Sequence, residues 1–376
     1  MRIAVALSQP PLVEGGAPGR CAVGLLRGLA SHGLDVTAVA ADRRPPGACG
    51  EQVPPDLDVQ LVRAPETLSR VRLYAAKATR PRGELSRGSF AATLARVAGR
   101  ADVVHLEETE TGWSLPSGST PRVLHVHYLA HRDLPLAGIW GADPLRRAEE
   151  VYAEVRLART HDHLLASSPQ VADRLRTINP RARITVAPLS LDPAHYEPAP
   201  LDGPPLAGLI GTADWPPTRN AVLRLVSRIW PRVRSGVPGA QLVIAGRGSG
   251  ELRLEEAEGV QVLGEVASAG EFLRSLSVLA YPVSRGSGMK VKVMEALASG
   301  VPVVTTPEGA EGIGDTDGVV VETEPDRFAH AVREILLDPG ARGQRGAAGR
   351  KHFEENLSPG PATEPLVAAY ESALGG

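Results

Sequence analysis

The sequence has little of what marks a secreted, nucleic-acid-binding or membrane-spanning chain. Cysteine occurs only at Cys21 and Cys49, without Cys-x-x-Cys spacing or a nearby histidine cluster. That argues against a disulfide framework or a structural zinc site, and fits free thiols in a reducing compartment. Aromatic residues make up 4% of the chain, few for a platform that stacks single-stranded bases. The 41 Lys and Arg against 43 Asp and Glu leave a net charge of -2, so the basic field that nucleic acid requires is missing. No apolar run approaches the ~18 residues of a membrane span. The opening MRIAVALS is too short for a signal peptide and has no small-residue cleavage site, so it reads as a first strand. A cytoplasmic location is expected, with any membrane contact peripheral.

What the chain does have is glycine and proline, 40 and 33 residues, punctuating an alternation of strand and helix patterns. Its 376 residues, 43% of them apolar, correspond to about two domains with sizeable cores. Strand patterns at 2–7, 36–40, 59–63, 102–106, 122–128, 163–166 and 184–187 are interspersed with helical ones at 20–31, 144–158 and 169–177. Ser168 before Pro169 is an N-cap followed by proline at the first helical position. A proline-rich stretch at 198–205 reads as a linker. Beyond it come strands at 207–210, 241–245, 260–263 and 318–321, and helices at 220–234, 271–277, 325–337 and 363–374. The expected fold class is α/β, with domains over 1–200 and 204–358 and a C-terminal helix over 359–376. Parallel sheets of this kind take ligands at the carboxyl ends of their strands.

The most informative stretch is 278–312, VLAYPVSRGSGMKVKVMEALASGVPVVTTPEGAEG. A buried-strand pattern runs into a turn at Gly286-Ser287-Gly288, and a helix over 289–299 follows. Its apolar positions Val291, Met294 and Ala298 share one face, and Gly300 and Pro302 stop it. A helix opening on a glycine turn offers unpaired N–H groups and a positive dipole end, which suit a diphosphate. Lys290 and Lys292 add cationic heads, and Glu295 can accept hydrogen bonds from neutral hydroxyls. Phosphate together with hydroxyls suggests a nucleotide sugar.

Residues 278–312 resemble the donor-binding segment of retaining GT-B glycosyltransferases, in particular the GT4 family. The family motif is two glutamates eight positions apart, the second inside an E-A-x-A-x-G-x-P-V-V run. Here that run stands as Glu295-Ala296-Leu297-Ala298-Ser299-Gly300-Val301-Pro302-Val303-Val304. The resemblance implies two Rossmann-like domains facing each other across a cleft, 1–200 binding the acceptor and 204–358 the nucleotide sugar, with the C-terminal helix over 359–376 crossing back onto the first. It also implies transfer of a sugar from a nucleoside-diphosphate donor to an acceptor hydroxyl with retention, and no metal or other cofactor. A UDP-sugar is the default donor, with GDP- and dTDP-sugars as the other choices; the acceptor is a small molecule or a glycan.

Carried over residue by residue, the resemblance assigns Glu295 to the ribose hydroxyls. Ser287 stands where the family's first glutamate touches the transferred sugar, so that contact passes to the main chain of Ser287, Gly288 and Met289. Period two puts His125 and His127 on one face of their strand. His127, at the end of a strand ending in a Val-His pair, falls beside the transferred sugar and His125 further back, the other reading of each being a satisfied core histidine. Glu265 and Val266 correspond to the segment that cradles the base, and Gly15-Gly16 to the loop that approaches the donor. Many relatives bring an arginine and a lysine to the diphosphate from the turn after the first strand of the second domain; here Arg219 is the basic residue nearby. Neutralisation of the leaving group therefore shifts toward Arg247, Lys290 and Lys292. His127, Lys290 and Arg247 form the expected catalytic set.

Other readings stay open at this stage. Gly15-Gly16 is either that donor loop or a plain flexible one, and Glu107, Glu108 and Glu110 either orient an acceptor hydroxyl or form a solvated acidic turn. The arginines at 63, 70, 72, 80, 82, 87, 96 and 100 are either a solvated face or a contact for an anionic lipid or acceptor. A non-catalytic nucleotide-sugar-binding protein and a nucleotide-sugar epimerase share the architecture; turnover with an acceptor separates both from a transferase.

Overall fold

Seven strands make one parallel sheet: β1 (Arg2–Leu7), β2 (Asp35–Asp42), β3 (Val59–Arg63), β4 (Val103–Glu107), β5 (Arg122–Val126), β6 (His163–Ala166) and β7 (Arg183–Val186). Their order is β3-β2-β1-β4-β5-β6-β7, so the chain winds outward from β1 in both directions and the order reverses between β1 and β4. The computed structural model describes residues 1–44, 52–64, 80, 83–115, 118, 120–134, 144–200, 203–254 and 257–375. Cys49, Arg70, Arg72 and Arg82 lie outside them; Cys21 is buried.

Both faces of the first sheet are covered, as near-continuous apolar strands require. On one face Ile3, Val5 and Leu7 pack with Leu25 and Leu29 of helix Ala17–Ser31 and with Leu366 and Tyr370 of helix Pro359–Leu374. On the other, Ala4, Val104 and Leu124 pack with Phe90, Leu94, Leu157, Val171 and Leu175. The first unit consists of Met1–Asp192 together with Ser358–Gly376, so the last helix belongs to it in packing although not in sequence. Ser168 caps its helix as expected, its hydroxyl accepting from the Val171 N–H at 3.2 Å.

The second unit is Pro193–Leu357. Its boundary precedes the proline-rich stretch, because residues just after Asp192 already pack into it: the Ala199 N–H donates to the Ser299 carbonyl at 2.8 Å. Strands β8 (Leu206–Ile210), β9 (Gln241–Ala245), β10 (Val260–Gly264), β11 (Val278–Tyr281), β12 (Val303–Thr305) and β13 (Val319–Val321) form a parallel sheet in the order β10-β9-β8-β11-β12-β13. The order reverses between β8 and β11, which places a topological switch point at their carboxyl ends.

Two elements depart from the sequence reading. The helix expected at 220–234 begins at Pro216 and passes through a π-helical segment, Leu225–Ile229, before Trp230–Gly236. Pro231, which has no N–H to give to the preceding turn, accounts for the interruption. The helix Pro339–Asn356 was not expected, because its glycines lower helix propensity. Packing explains them: a Cβ on Gly346 would lie 2.2 Å from the Gly300 carbonyl oxygen, and one on Gly349 would lie 2.8 Å from Leu297 Cδ2. Gly346→Ala is expected to destabilise the second unit by about 1–3 kcal/mol, the scale of overpacking, which exceeds the roughly 1 kcal/mol gained in propensity. Urea denaturation checks this; an unchanged or raised midpoint refutes the packing role.

Candidate active site

In the second unit the loops after β8, β9, β11 and β12 meet at the carboxyl edge of the sheet. The Ala213 N–H donates to the Arg247 carbonyl at 2.8 Å, and the Gly246 N–H donates to that of Gly264 at 2.6 Å. Arg247 is thus held by its main chain in the β9 loop, with its side chain exposed. Arg219 lies partly buried in the first turns of helix Pro216–Arg224. Glu265 is exposed and Val266 half-buried just beyond β10.

The turn after β11 is where the two lysines, alike in sequence, diverge. Lys290 is buried and turns back, its ammonium donating to the carbonyls of Ser287 at 3.0 Å and Gly288 at 2.6 Å. Those bonds fix the turn, in which Gly288 takes φ +67°, a conformation that favours glycine. Lys292 crosses instead to the β8 loop. Its Nζ lies 4.5 Å from the centre of the Tyr281 ring and donates to Thr218 Oγ1 at 3.4 Å, and its stem packs on Gly211. Burial, and secondarily Lys290, depresses the Lys292 ammonium to about 8, with Glu295 pulling the other way.

The expectation that the turn's N–H groups stand unpaired needs correction at Gly288. Its N–H donates to Glu311 Oε1 at 2.8 Å, and Glu311 is buried. Ser287 and Met289 are buried on either side. Glu295, inside helix Val291–Ala298, is 3% exposed and accepts from the Tyr196 hydroxyl at 3.0 Å. Tyr196 carries no local signal, and Glu311 shows in sequence only as part of the glycine-rich segment 307–312 near the same ligand. Tyr196 reaches Glu295, and Glu311 the turn, through tertiary contact.

In the first unit, the carboxyl ends of β1, β4 and β5 bring together a cluster that the strand periodicity held in plain view. Alternation puts His105 and Glu107 on one face of β4, and His125 on the same face of the neighbouring β5, with Glu107 paired to His125 in register. His127 follows two positions on. One carboxylate meets three imidazoles: Glu107 Oε2 stands 2.6 Å from His105 Nε2 and 3.1 Å from His125 Nδ1, and Oε1 stands 2.8 Å from His127 Nε2. The solvated acidic turn is therefore wrong for Glu107, which is 6% exposed at the end of its strand.

Burial opposes ionisation of Glu107, yet His127 and His125 outweigh it and hold the carboxyl well below its usual range. Glu108 goes the other way, burial raising it, and it accepts from the Ser8 hydroxyl. Glu108 also sits at φ +67°, strained for a residue with a side chain. Gly16 caps helix Ala17–Ser31, and Arg20 donates to the Gly15 carbonyl.

Among the described residues, His105, Glu107 and His125 are the group close enough together to hold a metal ion. A spacing of 2.6 Å between Nε2 and Oε2 is that of a hydrogen bond, which leaves a proton rather than an ion between them. Asp-x-Asp pairs also occur, at Asp56 and Asp58 and at Asp315 and Asp317. The first is engaged by Arg27 and Thr37.

Comparison with known proteins bears on both units. The profile described as Glycosyl transferases group 1 matches residues 204–338, and that described as Glycosyl transferase 4-like domain matches residues 16–190. Between them they cover most of both units, and the chain belongs to the GT4 family of glycosyltransferases. A GDP-mannose-dependent monoacylated α-(1-6)-phosphatidylinositol monomannoside mannosyltransferase of Corynebacterium glutamicum is 32% identical over 196 residues, 46% of this chain and 51% of that protein. The chain thus spans about half the length of the curated relative it matches.

Among solved structures, S. aureus TarM in complex with fondaparinux, α-GlcNAc-glycerol and UDP aligns at a TM-score of 0.70 and 10% identity, covering 98% of this chain and 100% of that one. The α,α-trehalose 6-phosphate synthase of Burkholderia multivorans aligns at 0.66 and 14%, covering 100% and 99%. Anabaena HepE with UDP and glucose aligns at 0.64 and 12%, covering 98% and 99%. The architecture is that of the GT-B glycosyltransferases. No helix among the described residues is long and apolar enough to cross a membrane.

Proposed function

We infer that the protein transfers a sugar, of the hexosyl class, from a nucleoside-diphosphate sugar to an acceptor hydroxyl with retention at the anomeric carbon. The observation that carries this reading is the pairing, at the switch point of the second sheet, of a buried carboxylate, Glu295, with a buried-stem ammonium, Lys292, one helical turn apart. Glu295 suits ribose hydroxyls, and Lys292 with Arg247 and Arg219 suits the diphosphate. Charge developing on the leaving group is then met by side chains already in place, and no metal ion is called for. Lys290 acts by holding the turn. Glu265 and Val266 lie where the base is received, and Ser287, Gly288 and Met289 line the sugar side with Glu311. Gly15, Gly16 and His127, in the first unit, suit the sugar and the acceptor.

The relatives differ in their donor base: the Corynebacterium protein is named for GDP-mannose, and TarM and HepE were solved with UDP. The test is a calorimetric screen of UDP, GDP, ADP and dTDP with their sugar conjugates, since a ligand bound only by the folded state raises its stability. One nucleotide sugar is expected to stabilise the protein and then to be consumed with a glycan or small-molecule acceptor. No binding by any of the four overturns the reading. A non-catalytic sugar-nucleotide binder is the second reading, favoured by Ser287 in place of the family's glutamate; binding without transfer would establish it.

A further inference from the structure

Five elements converge on the buried carboxylate of the first unit, and counting their protons gives a definite result. His105 Nδ1 stands 2.6 Å from the Tyr370 hydroxyl of the last helix, which donates to it, leaving His105 Nε2–H to donate to Glu107. His125 Nε2 faces the Ala187 carbonyl at 3.1 Å, and that oxygen can only accept. His125 Nδ1 and His127 Nε2 both face Glu107. Three hydrogen bonds therefore join a nitrogen of His105 or His125 to an acceptor oxygen, and two neutral imidazoles supply only two N–H groups. A third proton is needed, and the cluster holds it, with His127 Nε2 paired to Glu107 Oε1 by charge at 2.8 Å rather than by a hydrogen bond.

We propose that Glu107 is a positioning residue that keeps this extra proton shared between His125 and His127, so that His127 meets a bound sugar as a charged hydrogen-bond donor. The proposal rests on the reading of His127 as the residue beside the transferred sugar. The two rings that share the proton lie 4.6 Å apart and nearly perpendicular. His125 is 2% exposed, and burial lowers its affinity for a proton. His127 is 10% exposed and has a second carboxylate, Glu108, with Oε1 3.6 Å from its Nδ1. Burial opposes charge on His127 as well, but the two carboxylates outweigh it. The groups facing His127 are thus Glu107 and Glu108 from β4 and its following turn and His125 from β5, with Ser8 after β1 holding Glu108 in place.

The geometry also assigns the direction of donation. His127 Nε2 is buried 2.8 Å from Glu107 Oε1, so Nδ1–H is the group left to reach a hydroxyl, the distance to Glu108 being too long for a hydrogen bond. An imidazolium does not take the acceptor's proton; it stabilises negative charge on the sugar or leaving group. Activity then needs the protonated ring, and is lost as pH rises through the elevated titration point of His127.

The test is histidine-resolved NMR of the whole chain labelled in its imidazole nitrogens. One imidazolium shared by His125 and His127 is expected at pH 7, with His105 neutral and protonated at Nε2; three neutral rings at that pH overturn the proposal. Glu107→Gln is expected to lower the His127 titration by about one unit or more and to move the alkaline limb of the kcat profile equally far down. An unmoved titration also overturns it. Should that variant fail to fold, Tyr370→Phe is read in the same way: it frees His105 Nδ1, and an unchanged tautomer balance across all three rings counts against the network. A stoichiometric metal ion in the purified protein replaces the shared proton and refutes it. Wild-type turnover in His127→Ala removes the role at the sugar even where the NMR result stands, which distinguishes failure of the functional reading from failure of the proton count.

Discussion

Replacing Lys292 with methionine is expected to lower kcat by about 10²–10³-fold, the cost of removing one preorganised donor from developing negative charge, or about 2.7–4 kcal/mol. Methionine keeps the stem that packs on Gly211 and beneath Tyr281, so the loss isolates the ammonium. The expected signature is a fall in kcat with a still larger fall in kcat/KM, because the ammonium meets the diphosphate of the bound donor and meets it more strongly as it departs. A raised KM with unchanged kcat would refute the role and leave Lys292 as a simple contact. Lys290→Met provides the contrast. Its ammonium is engaged by the turn's own carbonyls, so its loss should loosen the turn and show chiefly in KM and thermal stability.

The same lysine gives a pH dependence with a definite sign. In the free protein the Lys292 ammonium titrates at about 8, because burial and Lys290 disfavour its charge. A bound diphosphate favours the charged form, so binding takes up a proton wherever the free side chain is neutral. Nucleotide affinity is therefore flat below pH 8 and declines above it, by up to about tenfold per pH unit. Calorimetry in two buffers of different ionisation enthalpy at pH 8.5 measures the proton uptake. Lys292→Met should abolish it.

Much of the fold was legible because parallel strands buried on both faces declare themselves as apolar runs between glycine turns. β3, β6 and β9 lie where the sequence placed them, to the residue. The failures have a common physical origin. Helix Pro339–Asn356 was hidden because its glycines serve packing against another helix, and propensity sees only their local cost. Lys290 and Lys292 were read as a pair because both have the same charge and lie two positions apart. Which one turns inward is decided by the carbonyls of the Gly288 turn and by the ring of Tyr281, both tertiary. The histidine cluster was half legible: period two gave a shared face on β5, but joining it to Glu107 and His105 required knowing that β4 lies beside it.

Glu295→Ala is expected to weaken nucleotide-sugar binding by about 1–3 kcal/mol, roughly five- to 150-fold in Kd, the scale of lost hydrogen bonds to a charged group. The carboxylate is buried and already accepts from the Tyr196 hydroxyl, so its orientation is fixed before any ligand arrives. A preorganised acceptor costs little further ordering on binding, which is why the loss should lie in affinity. The variant also leaves the buried Tyr196 hydroxyl without that acceptor, so some loss of stability accompanies it. Pairing it with Tyr196→Phe separates the two effects. That second change should unfix Glu295 and weaken binding less, with kcat near wild type. A folded Glu295→Ala protein with unaltered Kd for the nucleotide sugar, measured by calorimetry, would remove the ribose assignment and with it the main support for placing the donor in the second unit.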